Sequence, residues 1–290
     1  MGARRIGSAD PGYGLGVTTS VWGGSEAAEI GSPVATVTAL STAPVKGLRL
    51  QSRDAVQLET IGAVDDRRFF LITDEDRMVN ARRLRKLSAV IARYDTERHW
   101  LMMLFPDGKA VEGPVQLGHR VTPQFFAREI PVSLVVGPWA EALSLYTGRS
   151  VRLVMVADGT PGTDRGFGGA VSLISRATVE RLEQEAGHLV DARRFRMLIE
   201  VDGIDAHQED AWAGRRLRIG GATLRFNGHV GRCIVTGLDP DTGRGDMPTL
   251  ELLRQYRMDL DTTEQLAVGV FGEVLVPGVL RHGDGVVLLD

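Results

Sequence analysis

Beyond residue 33 the chain is a succession of short apolar runs, each closed by a polar or glycine- and proline-bearing turn. That punctuation dictates strands, because a run of four to eight β-prone residues bounded by turn chemistry is too short for a buried helix. Val56-Gln57-Leu58-Glu59-Thr60 alternates apolar and polar, as a strand with one buried face must. Arg68-Phe69-Phe70-Leu71-Ile72-Thr73 meets Asp74-Glu75-Asp76-Arg77 and then Met78-Val79, a hairpin by its turn residues. Trp100-Leu101-Met102-Met103-Leu104-Phe105 before Pro106-Asp107-Gly108-Lys109 predicts another. Helices are expected near 82–87, over 139–146, from Ser175 as N-cap, and over 249–256. Further strands are expected at 171–174, 195–201, 216–219, 222–226, 232–238, 272–276 and 285–289. Strands do not alternate with helices as βαβαβ, so a doubly wound sheet is excluded and a mainly β fold with short helices (α+β) is predicted.

Residues 1–33 are rich in Gly, Ser and Ala without helical or strand period, and read as a disordered tail. The stretch 157–169 holds five glycines and one proline. It reads as a linker or mobile loop and sets a domain boundary, with one domain over 34–160 and another over 161–290. No apolar run approaches the ~20 residues needed to cross a bilayer, and no signal-peptide core follows the start. The chain is therefore expected to be soluble and cytoplasmic. A net charge of −3 offers no general attraction to nucleic acid.

Most classes of site chemistry lack their signature residues in this chain. No phosphate loop, HExxH pair, CxxC or GxSxG elbow occurs. One cysteine is present, Cys233, so an intramolecular disulfide is impossible. Its surroundings, Asn227-Gly228-His229-Val230-Gly231-Arg232-Cys233-Ile234-Val235-Thr236, read as a glycine-bearing loop entering a strand near whose start the thiol lies. A lone cysteine is by default a small core hydrophobe. Arg232 beside it favours the thiolate, the form that binds metals, only if the backbone bends, since strand neighbours face opposite sides.

The string Gly231-Arg232-Cys233-Ile234-Val235-Thr236-Gly237-Leu238-Asp239-Pro240-Asp241-Thr242-Gly243 resembles the signature of the MOSC family, and the likeness continues through 249–257 and 283–289. Glu209-Asp210-Ala211-Trp212 and 213–220 resemble another segment of it. Pro44-Val45-Lys46-Gly47, Asp66-Arg67-Arg68-Phe69-Phe70 and Met78-Val79-Asn80-Ala81-Arg82 resemble the β-barrel domain that precedes MOSC, as in amidoxime reducing components and their bacterial relatives. The resemblance implies a smaller β-barrel followed by a MOSC β-barrel, with a molybdenum cofactor (Mo-molybdopterin) between them. It assigns Cys233 as catalytic residue and molybdenum ligand, and Lys46, Arg68, Arg196 and Arg232 as cofactor-binding cations. The implied activity is a molybdenum-dependent oxidoreductase that reduces small N-oxygenated (N-hydroxylated) compounds. Its electrons come from a separate flavin, haem or ferredoxin-type protein, since no cysteine cluster for an iron–sulfur centre occurs. A sulfur carrier working through a Cys233 persulfide, and a non-catalytic cofactor-binding protein, are the alternatives. The chain departs from the family at Gly47, where serine is common, at Gly168 and Gly169, where hydroxyl side chains occur, and at Met197, after Arg196.

Overall fold

The structure, a computed structural model, describes residues 31–79, 81–258 and 261–290. All but the last three residues of the expected tail, 1–33, lie outside the described residues.

Seven strands close into a barrel. Their order is Ile199–Asp202, Val171–Ser175, Ala267–Val276, Ala222–Gly231, Arg216–Ile219, Gly285–Leu288 and Ala35–Thr42, which returns to pair with Ile199–Asp202. The first strand among the described residues therefore completes a barrel built otherwise from the C-terminal half of the chain. Closure runs through Thr36↔Asp202 and Leu40↔Ile199, with a bulge between Val37 and Ala39 that helps the sheet turn the corner. Inward residues such as Leu40, Leu173, Ile199, Leu217, Phe226 and Val270 fill the interior. The one parallel pairing among the barrel's seven strands, Val171–Ser175 with Ile199–Asp202, requires a crossover, and helix α2 (Arg176–Ala186) supplies it. Ser175 caps α2 as expected, its side chain accepting from the Thr178 N–H.

A four-stranded sheet (Phe69–Ile72, Arg152–Val156, Val132–Val136, Gln116–Val121) and a three-stranded meander (Ile91–Asp95, Trp100–Leu104, Ala110–Pro114) share a separate core around Phe69, Leu101 and Trp139. Helix α1 (Trp139–Thr147) begins at that tryptophan, whose indole N–H donates to the Leu101 carbonyl. The alternating segment behaves as its pattern requires, with Val56 and Leu58 buried and Gln57 exposed. Among the described residues no helix is long and apolar enough to cross a membrane.

A buried polar cluster lies where α2 meets helix α3 (Thr249–Tyr256). The His207 ring sits 5.7 Å from that of Tyr256 and its two nitrogens are buried without hydrogen-bond partners. Burial, reinforced by the Arg257 and Arg181 guanidiniums, pushes its pKa down to about 3. A histidine held neutral in the fold takes up a proton only on unfolding between its ordinary pKa, about 6.5, and that depressed value. The unfolded state binds more protons across this window, so stability falls as pH is lowered through it, by up to about 1.4 kcal/mol per pH unit. Glu209, raised by its own burial, acts in the opposite sense from the ordinary carboxylate range upward, within the same window, so the difference between His207→Gln and wild type isolates the histidine. Urea midpoints measured from pH 7 to pH 4 should drop more steeply in wild type than in the variant. Parallel curves would show that His207 is not held neutral.

Candidate functional site

The strand Ala222–Gly231 stops because the next backbone groups find other partners. The Gly231 N–H donates to the Glu264 carboxylate at 2.7 Å. Two residues on, the Cys233 carbonyl accepts from the Thr236 N–H at 3.1 Å and from its hydroxyl at 3.0 Å, which starts the 3₁₀ turn Ile234–Gly237. This corrects the expected strand over 232–238. Ile-Val-Thr has strand propensity, but local capping by the threonine wins. Cys233 follows a strand's end instead of opening one. The chain leaves the paired ladder here with Cys233 still extended (φ −129°, ψ 176°), and Arg232 and Cys233 line the same cavity.

That cavity is a cleft of about 490 Å³. Lys46, Arg67, Arg165, Arg196, Arg232 and the exposed Cys233 all line it, with Phe126, Phe195, Met197 and Phe271 as its aromatic and thioether lining. Four of the five expected site residues are thus brought together: Lys46, Arg196, Arg232 and Cys233. Arg68 is not among the lining residues. Its guanidinium bonds Asp158 at 2.9 Å, and its carbonyl accepts from the Val156 N–H. Arg67 lines the cleft in its place, turned there by a left-handed backbone (φ 52°) just before the strand Phe69–Ile72 begins. Arg67 and Arg165 were missed. The Arg67-Arg68 pair signalled that one of them faced the site, but strand alternation alone does not say which.

Backbone carbonyls hold Arg196 and Arg232, and carboxylates hold Lys46, Arg165 and Arg67, the last through Asp66. Arg67 donates to the Arg196 carbonyl at 3.0 Å, and Arg196, itself left-handed at φ 55°, donates to the Leu48 carbonyl at 2.8 Å. Arg232 donates to the carbonyls of Val268 (3.0 Å) and Phe195 (2.9 Å) and to the Met197 sulfur (3.1 Å). Lys46 pairs with Asp164. Arg165 forks onto Glu264 at 2.6 and 2.8 Å and lies 4.3 Å from the centre of the Phe271 ring. Burial, with neighbouring arginines adding to it, shows in the proton affinities. Burial holds Lys46 below the usual lysine range, Asp164 opposes that, and Arg67 and Arg196 add to it. Burial and then Arg67 push Arg196 down to about 10. Arg232 falls to about 9 through burial, with the Cys233 sulfur opposing and Arg165 adding. Arginine stays protonated near neutrality, so the cleft keeps buried positive charge that an incoming anion can meet.

Three of the four departures from the family pattern have a local account; nothing in the structure requires glycine at 168. Gly47 sits at φ 89°, a left-handed position where glycine is unstrained. A Cβ at Gly169 would fall 2.3 Å from the Cβ of Arg165, so the arginine stem occupies the space of a side chain there. Met197 supplies the sulfur that Arg232 contacts.

The family model of the MOSC domain matches residues 162–287, and that of the MOSC N-terminal beta barrel domain matches residues 34–132. The mitochondrial amidoxime-reducing component 1 of Mus musculus is 36% identical over 124 residues, which cover 40% of this chain and 36% of that protein. The Homo sapiens protein of the same name shows the same identity and coverage. The match therefore spans 36% of the length of these curated relatives. Among solved structures, the YUAD protein from Bacillus subtilis superposes with a TM-score of 0.41 at 12% identity, covering 88% of this chain and 94% of that one.

Proposed function

From the premise that this chain belongs to the MOSC-domain family, with a MOSC N-terminal barrel domain ahead of the MOSC domain, we propose that it is a molybdenum-cofactor-dependent oxidoreductase acting on small N-oxygenated compounds. One observation carries the reading: the chain's only thiol is exposed in a cleft where Arg196 and Arg232 donate to backbone carbonyls and, among the described residues, pair with no carboxylate.

The residues present fit the cofactor. Among the described residues no group of three or more His, Cys, Asp or Glu is placed to hold a metal ion, so a metal at Cys233 must bring most of its own donors. A pterin dithiolene does that, and its phosphate suits arginine's planar fork. Cys233 is the protein ligand, and giving up the thiol proton couples metal binding to pH. Lys46, Arg67 and Arg196 hold the anionic pterin and phosphate. Arg232, locked to the Phe195 and Val268 carbonyls, fixes the loop that presents the sulfur and keeps a positive charge beside it. The bound cofactor supplies oxygen-atom acceptance, so that an N-hydroxylated substrate, two protons and two electrons give the reduced nitrogen compound and water. The electrons arrive from a separate flavin, haem or ferredoxin-type protein.

Protein purified from molybdenum-replete cells is expected to carry molybdenum and pterin near one per chain, and to lose both when made in cells without the cofactor pathway. Equal, negligible molybdenum in the two preparations would overturn the proposal.

A further inference from the structure

A single aromatic residue on the cleft wall stands in a conformation that its residue type does not favour. Phe126 and Ala127 are the two turn residues between the paired strands Gln124–Phe125 and Arg128–Glu129. Phe126 has φ 54°, the left-handed region that hairpin turns give to glycine or asparagine. A bulky residue there is strained, and its ring gains little from burial, being 48% exposed. The cost is retained at a position lining the same cleft as Cys233. Backbone strain of this kind concentrates at ligand sites.

The ring is also fixed in place. The buried Phe125 ring meets it edge-on, with centroids 5.5 Å apart and planes at 88°. The Lys46 ammonium lies 5.5 Å from its centre. A ring anchored in this way yet exposed in a cavity is a stacking platform. Such a platform discriminates by flatness, because a planar π-system covers a ring face that a puckered saturated group cannot.

We propose that Phe126 is a specificity-determining residue that stacks a flat aromatic substrate, so that this protein selects aryl or heteroaryl N-oxygenated compounds over aliphatic ones. The proposal rests on the cleft being the substrate site of the oxidoreductase described above. In cofactor-free protein the cationic lining attracts anionic ligands of either shape, and the ring separates them.

The test needs neither metal nor turnover. Dissociation constants are measured for 2-naphthoate and for its fully saturated counterpart, decalin-2-carboxylate, which has the same charge and similar bulk. Wild type should prefer the flat acid by about tenfold, the size of one ring stack. Phe126→Asn should bring the ratio close to one while leaving the saturated acid within about twofold. Asparagine suits the left-handed turn better than phenylalanine, so the variant's melting temperature should be equal or higher, which separates lost stacking from lost folding. Equal binding of the two acids by wild type, or an undiminished preference in Phe126→Asn, overturns the proposal. Protein that lacks molybdenum yet keeps the preference would sink the redox reading alone. Molybdenum-loaded protein without it would sink the stacking alone.

Discussion

Cys233→Ala should abolish molybdenum retention, to background in metal analysis, while leaving the fold intact. The side chain is exposed and follows the end of its strand, so its removal opens no cavity. The stability change should stay within about 0.5 kcal/mol, as for surface substitutions generally. The Cys233 backbone keeps its role, since its carbonyl still accepts from the Thr236 N–H and hydroxyl. Lys46, Arg67 and Arg196 remain, so pterin phosphate should be lost less completely than metal. Cys233→Ser separates thiolate from geometry. Serine is nearly isosteric but a far weaker anion donor, and it should fail almost as badly as alanine. Full molybdenum content in Cys233→Ala would remove the thiol from the coordination sphere. An unchanged melting curve beside the metal loss would exclude misfolding as the cause.

What could be read in advance follows the range of the interactions involved. Helices α1 and α3, the Ser175 cap and the turn at Pro106-Asp107-Gly108 are encoded within a few residues, and the structure places them where local pattern predicts. Barrel closure is not local. Ala35–Thr42 pairs with Ile199–Asp202 across most of the chain, and nothing in either segment names its partner. The site divides in the same way. Cys233 and its arginine neighbour stand out as a string, but whether both face one cavity depends on Thr236 capping the Cys233 carbonyl. Phe126 left no signal, because its exposure arises from a two-residue turn whose geometry the composition of that segment does not announce.

The clearest gap between expectation and structure lies in 157–169, read from its glycines as slack chain. Gly162, Gly166 and Gly169 are buried, and Thr163, Asp164 and Arg165 line the cleft beside the thiol. A Cβ at Gly162 would stand 1.8 Å from the carbonyl oxygen of Arg67 and 2.8 Å from its carbonyl carbon. Those are backbone atoms, which cannot swing aside as a side chain does. Arg67 is itself held on both flanks, its N–H donating to the Ala43 carbonyl and its guanidinium to the Arg196 carbonyl. Gly162→Ala must therefore push the whole segment off the wall. It should cost at least about 3 kcal/mol, the upper range of overpacking penalties. The damage should also reach the site, because a displaced segment separates Asp164 from Lys46 and Arg165 from Glu264, whose carboxylate holds the Gly231 N–H ahead of Cys233. Gly159→Ala is the control: Gly159, unlike Gly162, is left-handed (φ 72°), but no atom lies within 4 Å of its Cβ position, so its cost should be limited to backbone strain of about 1 kcal/mol. Denaturant midpoints and the alkylation rate of Cys233 decide the matter. If Gly162→Ala proves no worse than Gly159→Ala on both measures, the segment is slack after all and does not form the wall of the cleft.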